Sequence, residues 1–172
     1  QVVFKTRQGK IIKGLLEIKM ALKAYNLTSC MLDGELIRIN KDNLPSDENF
    51  RLTTEIVNSK LENKTGLEYV LFDVTTLSGY YEKECDMDYN TRMILLQQAF
   101  SKPNKFIRTV PMYGVTDDIN VIYKTLAMVT SQGQEGLMLN TLSGKYRFGK
   151  RSKDLLKVKA MQTCDLKCID VQ

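Results

Sequence analysis

Glu135-Gly136-Leu137-Met138-Leu139-Asn140, followed by Leu155-Leu156-Lys157-Val158-Lys159, decides how this chain is read. Both stretches alternate or cluster apolar residues over a few positions, the pattern of short strands. Lys157 and Lys159 flank Val158, so both ammonium groups project from one face of their strand. Like charges held side by side are unfavourable unless an anion neutralises them. A phosphate group is such an anion. Leu155, Leu156 and Val158 supply apolar support. Glu135 opens the first strand, with Leu137 and Leu139 on its face and Met138 on the other. A carboxylate there can meet a metal-bound phosphate, although alone it reads as an ordinary exposed glutamate.

The sequence between and around these strands is basic. From Gly144 to Lys159, Lys145, Arg147, Lys150, Arg151, Lys153, Lys157 and Lys159 outweigh the single acid Asp154. Residues 82–88 are acidic instead. The net charge is +5. A local basic surface beside candidate phosphate ligands points to a polyanionic partner; the alternative is a solvated lysine face.

There is no histidine among the 172 residues. Histidine general bases and His-containing triads or zinc motifs are therefore excluded from this segment. Carboxylates, lysines and a hard metal ion remain. Cys164 and Cys168 form a lone C-x3-C, half of a zinc site at best. Together with Cys30 and Cys85 they read as reduced, buried thiols of a cytoplasmic protein. No apolar run approaches the roughly 20 residues needed to span a bilayer, so no membrane partner is expected.

Moving outward, Val2–Thr6 reads as a strand and residues 14–25 as an amphipathic helix. Strands follow at 29–32 and 35–40, then a polar, mobile loop at 42–49 and a helix at 51–61. Residues 67–75 form a buried strand rich in β-branched and aromatic residues. Helices are predicted over 90–101 and 117–131, with a strand over 105–112 between them. Strands at 135–140, 144–148, 154–160 and 164–171 complete an antiparallel meander. The mixture lacks a βαβ rhythm, which predicts an α+β fold with mostly antiparallel sheets.

Three further motifs carry chemistry. Asp33 and Glu35 flank Gly34 and share a strand face, where they can accept a ribose hydroxyl or hold a metal. An Asp-Gly hairpin turn is the competing reading. Phe72 precedes Asp73 in the buried strand and is either core or a stacking platform for a base. Arg7, in Thr6-Arg7-Gln8-Gly9-Lys10, stands at a tight turn and can clamp a phosphate with both guanidinium edges, or simply be solvated.

In this order the motifs resemble the adenylyltransferase domain of ATP-dependent DNA ligases, within the covalent nucleotidyltransferases that include RNA ligases and capping enzymes. The resemblance runs through Thr6–Lys10, Leu32–Leu36, Tyr69–Asp73, Glu135–Leu139 and Leu156–Lys159, and covers residues 1–172. The stretch Gly144-Lys145-Tyr146-Arg147-Phe148-Gly149-Lys150-Arg151-Ser152 resembles small viral and phage DNA ligases. It implies two mostly antiparallel sheets flanked by helices, in an ATP-grasp-like arrangement. It implies ATP or AMP and Mg2+ as cofactors, nicked duplex DNA as partner, and a monomer. By similarity, Glu35 holds the ribose and Phe72 stacks on adenine. Glu135 binds the metal, with Asp33 a second candidate ligand. Lys157 and Lys159 act with Glu135 in catalysis at the α-phosphate, while Arg7, Lys150 and Arg151 grip nucleic-acid phosphates. These groups are expected to surround a single cavity sized for AMP.

One part of the pattern is missing. The family nucleophile lies in Lys-x-Asp-Gly, whereas the only Asp-Gly here is Asp33-Gly34, preceded at two positions by Met31. The expectation is a ligase segment truncated before that motif, without the C-terminal oligonucleotide-binding domain, and unable to form lysyl-AMP by itself. An RNA ligase, a capping-type transferase or a non-catalytic nucleotide-binding module are the alternatives.

Overall fold

The computed structural model describes residues 1–25, 27–102 and 104–160. The predicted strand at 164–171, with Cys164 and Cys168, lies outside the described residues.

The chain opens with a minimal hairpin, β1 (Phe4–Lys5) antiparallel to β2 (Ile11–Ile12), closed by the turn that carries Arg7. In that turn Thr6 N–H donates to the Lys10 carbonyl and Gly9 N–H to the Thr6 carbonyl, both at 2.8 Å. Helix α1 (Leu16–Lys23) then buries Ile18, Ala21 and Leu22, an i, i+3, i+4 stripe.

The central sheet joins β3 (Cys30–Arg38), β4 (Leu67–Thr76) and β5 (Ile107–Thr109) in that spatial order. β3 and β4 are antiparallel, and β5 runs parallel to β4. Between β3 and β4 lies α2 (Ser46–Asn58). It begins inside the stretch expected to be a mobile loop. Pro45 stops the preceding chain, and Asp47 and Glu48 in the first turn complement the partial positive charge of a helix N-terminus. After β4 a short helix that the sequence reading did not foresee, α3 (Leu77–Glu82), is capped by the Thr76 hydroxyl accepting from Gly79 N–H. Helix α4 (Tyr89–Ala99) is capped by Asp88, whose carboxylate accepts from Thr91 N–H at 2.7 Å.

The main core is formed where α1 and α4 cover the central sheet: Ile18, Leu22, Leu67, Leu71, Met93, Leu96 and Ile107 are all buried. A second, smaller core belongs to α5 (Ile119–Ser131) and the hairpin of β6 (Gly136–Asn140) with β7 (Leu155–Lys159). Ile122, Leu126 and Val129 of α5 meet Leu137, Leu139 and Val158.

The fold is α+β as expected, and its sheets are mostly antiparallel. The details differ in two ways. Three small sheets are formed among the described residues rather than two. The strand expected at 144–148 reduces to one isolated bridge, Lys145 opposite Asp88. This segment is drawn towards the turn before α4 and therefore forms no ladder with β6 or β7. Lys145 also pairs with Asp86 at 3.3 Å, so part of the acidic segment neutralises part of the basic one.

Candidate functional site

The hairpin β6–β7 builds the first half of the site. Its register sets Gly136 opposite Lys159, Leu137 opposite Val158 and Met138 opposite Lys157. Lys157 and Lys159 therefore share the face away from α5, while Val158 faces the small core. Leu155 and Leu156 are about half exposed and give little support to the strand. Gly136 permits the close approach of the two strands: a Cβ there would stand 2.1 Å from the Val158 carbonyl oxygen.

Glu135 precedes β6, so strand alternation does not commit it to the Leu137 face. It turns to the lysine side instead. Lys157 Nζ donates to Glu135 Oε2 at 2.7 Å, and Lys159 Nζ donates to Oε1. These hydrogen bonds, Lys157's first, pull the Glu135 carboxyl down to about 2. The same carboxylate raises the Lys159 ammonium above its ordinary value. The anion demanded by two adjacent lysines is thus supplied by the chain itself.

The central sheet builds the second half. Asp33 pairs with Asp73 and Gly34 pairs with Leu71, so Phe72 is an extra residue bulged out of the β4 ladder. Its neighbours Leu71 and Asp73 are buried, whereas Phe72 keeps 39% of its surface exposed. The ring is not sealed in the core. Gly34 is needed opposite this bulge, because a Cβ there would lie 2.5 Å from the Val70 carbonyl oxygen. Glu35 is exposed and has no ion-pair partner among the described residues.

Asp33 is differently placed. Its carboxylate accepts a hydrogen bond from the Tyr146 hydroxyl. Burial pushes its carboxyl above the usual range, and the nearby Asp73 charge pushes the same way, while the Tyr146 bond opposes them. Burial and the Asp33 charge raise the Tyr146 phenol in turn.

Both halves line one open cleft of about 3570 Å³. Arg7, Asp33, Glu35 and Phe72 line it, and so do Glu135 and Lys157. Lys150 and Arg151, both exposed, also line it. Lys159 reaches the site through Glu135 and is not itself a lining residue. The cleft is not the AMP-sized cavity expected. Small-molecule pockets usually enclose roughly 300–1,000 Å³. Its lining draws on both the central sheet and the β6–β7 hairpin, each of which has its own core.

The described residues contain no group of three or more acidic, cysteine or histidine side chains able to cage a metal. A hard divalent ion held by one carboxylate and substrate phosphates fits that donor set. Glu135, exposed and fully ionised near neutrality, is suited to it. Asp33 is already engaged by Tyr146 and its charge is disfavoured, so it is the poorer donor.

Two polar residues were missed by the sequence reading. Arg92, on α4, forms a buried bidentate pair with Asp73, Nε to Oδ1 at 2.7 Å and Nη2 to Oδ2 at 3.1 Å. Tyr146 reads in sequence as one more strand residue, yet it anchors Asp33. Neither had a local signal, since each meets its partner across a long stretch of chain. An aromatic cluster is also present: Phe148 lies 4.7 Å from Tyr146 and 6.3 Å from Tyr80, ring centre to ring centre. Lys83 caps the Tyr80 ring at 4.1 Å.

The fold of this chain is shared with solved structures. The chain superposes on the structure named Pmar-Lig_PreS3 with a TM-score of 0.76 at 24% identity, covering 93% of this chain and 38% of that one. It superposes on the Chlorella virus DNA ligase-adenylate with a TM-score of 0.62 at 20% identity, covering 92% and 55%. The family model described as "ATP dependent DNA ligase domain" matches residues 1–159, and the chain belongs to that family. Among curated relatives, a DNA ligase of Archaeoglobus fulgidus is 30% identical over 171 residues, 95% of this chain and 29% of the relative. A probable DNA ligase of Streptomyces coelicolor is 29% identical over 157 residues, 88% of this chain and 30% of the relative. The chain thus spans under a third of the length of these relatives.

Proposed function

We propose that this chain forms the nucleotide- and phosphate-binding walls of an ATP-dependent DNA ligase, which seals nicks in duplex DNA through lysyl-AMP and DNA-adenylate intermediates. The supporting observation is the Glu135–Lys157–Lys159 cluster lining or adjoining the same cleft as Glu35 and the bulged Phe72. The names of the matched relatives favour DNA over RNA as the substrate.

In this reading Phe72 stacks on adenine and Glu35 accepts a ribose hydroxyl. Lys157 and Lys159 exchange Glu135 for phosphate oxygens and neutralise the charge that develops at the α-phosphate. Phosphoryl-type transfer is governed by such positioning and electrostatic stabilisation, so this is where the chain would lower the barrier. Magnesium, held by Glu135 and the phosphates, would supply Lewis-acid charge neutralisation. Arg7, Lys150 and Arg151 grip backbone phosphates of the nicked strand, and the large cleft leaves room for that strand beside the nucleotide. The nucleophilic lysine is not part of a Lys-x-Asp-Gly motif in these 172 residues, so the segment alone would take no covalent AMP. We take the working form to be a cytoplasmic monomer, in keeping with the free thiols of Cys30 and Cys85.

The test uses the full-length parent polypeptide with labelled ATP, magnesium and a duplex carrying one 5′-phosphorylated nick. Label should pass to the protein, then to the nick, and the strand should be sealed. Failure of the full-length protein to accept label, or sealing of RNA ends alone, would overturn the proposal. So would covalent AMP on the isolated segment for its last part.

A further inference from the structure

Arg92 belongs to none of the motifs that carry the proposed chemistry, yet it is only 3% exposed and each of its three guanidinium nitrogens donates a hydrogen bond. Beyond the bidentate pair with Asp73, its Nη1 donates to the Met87 carbonyl at 2.7 Å and to the Gly144 carbonyl at 3.1 Å. Its Cζ lies 5.7 Å from the ring centres of both Tyr89 and Tyr146. One side chain therefore joins β4, the turn before α4 and the loop between β6 and β7.

The two ends of this staple matter. Asp73 directly follows the bulged Phe72, and Gly144 lies in the loop that carries Lys150 and Arg151 and leads into β7 with Lys157. Tyr146, two residues after Gly144, returns to the central sheet by donating to Asp33, two residues before Glu35. The contacts close a ring: Arg92 to Asp73, across the β3–β4 ladder to Asp33, then to Tyr146 and back through Gly144. A buried ion pair is weak support for stability compared with well-packed apolar residues. A planar fork that meets several fixed acceptors at once specifies position.

We propose that Arg92 is a positioning residue: it sets the spacing between the base-contacting bulge at Phe72 and the phosphate-contacting loop at 144–151. This rests on the reading above, in which Phe72 and Glu35 take the nucleoside while Lys150, Arg151, Lys157 and Lys159 take phosphates. Loss of the staple lets the two halves drift, and small misplacement is costly because the reaction depends on alignment.

The experiment is Arg92→Lys in the full-length parent polypeptide. Lysine keeps the positive charge beside Asp73 but cannot reach the Met87 and Gly144 carbonyls together. We expect a thermal midpoint near wild type, a KM for ATP little changed, and a kcat for adenylate transfer lower by about 10- to 100-fold. Amide hydrogen exchange over residues 144–151 should quicken. A folded Arg92→Lys protein with wild-type kcat and wild-type exchange overturns the positioning role alone. A wild-type protein that takes no label from ATP overturns the functional reading and this inference with it. Should Arg92→Lys not fold, the pair Asp73→Asn with Arg92→Gln, which removes the buried charge together with its counter-charge, takes its place with the same expected and overturning results.

Discussion

Lys157 Nζ lies 2.7 Å from Glu135 Oε2, so the two ends of the β6–β7 hairpin meet at a single carboxylate that Lys159 also contacts. All three side chains are about half exposed or more, and water and salt weaken such pairs. The cluster is therefore open to exchange. In the proposed function an incoming phosphate would compete with Glu135 for the lysines, and a metal would compete with the lysines for Glu135.

Glu135→Gln removes the competing charge and keeps the shape. Pyrophosphate without magnesium should then bind the protein more tightly, because it no longer has to displace a charged carboxylate from the two lysines. Magnesium-dependent adenylate transfer should fall at the same time. Calorimetric titration and a transfer assay read the two effects, and weaker pyrophosphate binding would contradict the exchange.

Phe72→Ala should weaken adenine-nucleotide binding by about 1–3 kcal/mol, the usual worth of one stacked base. The ring is bulged and exposed, so folding stability should change by about 1 kcal/mol or less. Phe72→Tyr should retain most of the affinity. Equilibrium binding and urea unfolding separate these outcomes from those of a core residue, for which stability would suffer most.

Asp73→Ala leaves the Arg92 charge buried without its partner. Breaking a buried pair in this way costs about 3–5 kcal/mol, which urea unfolding would detect as a large fall in midpoint. Replacing both residues with apolar ones of similar volume should be far milder. Equal damage from the single and double changes would mean that the pair is not the source of the loss.

The lysine clamp should persist over a wide pH range. Glu135 has a folded-state value of about 2, below its ordinary 4.5, so its contribution to the folded state is complete above 4.5 and is lost as pH falls towards 2. Lys159 is raised above its ordinary 10.5, so its contribution is complete below 10.5 and is lost as pH rises through the higher folded-state value. An NMR titration of the Glu135 carboxyl should show a midpoint near 2. A midpoint at the ordinary 4.5 would mean that the clamp does not form in solution.

Gly136→Ala tests the hairpin itself. The added methyl group would collide with the Val158 carbonyl oxygen and push β6 from β7. Overpacking of this kind costs about 1–3 kcal/mol. It should also move Glu135 off Lys159, which would appear as a rise in the Glu135 titration midpoint.

The elements that advertise themselves locally were legible. Strand β4 reads from its β-branched and aromatic run, and α5 from its apolar spacing after Asp118. The motif order pointed to the family that the chain proves to belong to. What could not be read depended on partners distant in sequence. The bulge at Phe72 is a property of the β3–β4 register, and alternation within β4 gives no sign of it. Tyr146 reads as a strand residue, because nothing in Lys145-Tyr146-Arg147 reveals that the loop bends towards Asp33. Arg92, in the first turn of α4, reads as a surface residue until the Asp73 carboxylate is set beside it. The start of α2 was hidden by its polar composition, which suits a helix N-terminus as well as a loop.

The Glu135 carboxylate makes this corner of the cleft behave like a loaded ion-exchange resin rather than a bare one. A ligand arriving there does not find two naked ammonium groups; it displaces a tethered counterion that is covalently unable to diffuse away. Added electrolyte loosens the tethered counterion and the visiting one together. Affinity at this corner should therefore fall less steeply with ionic strength than the count of lysines would suggest.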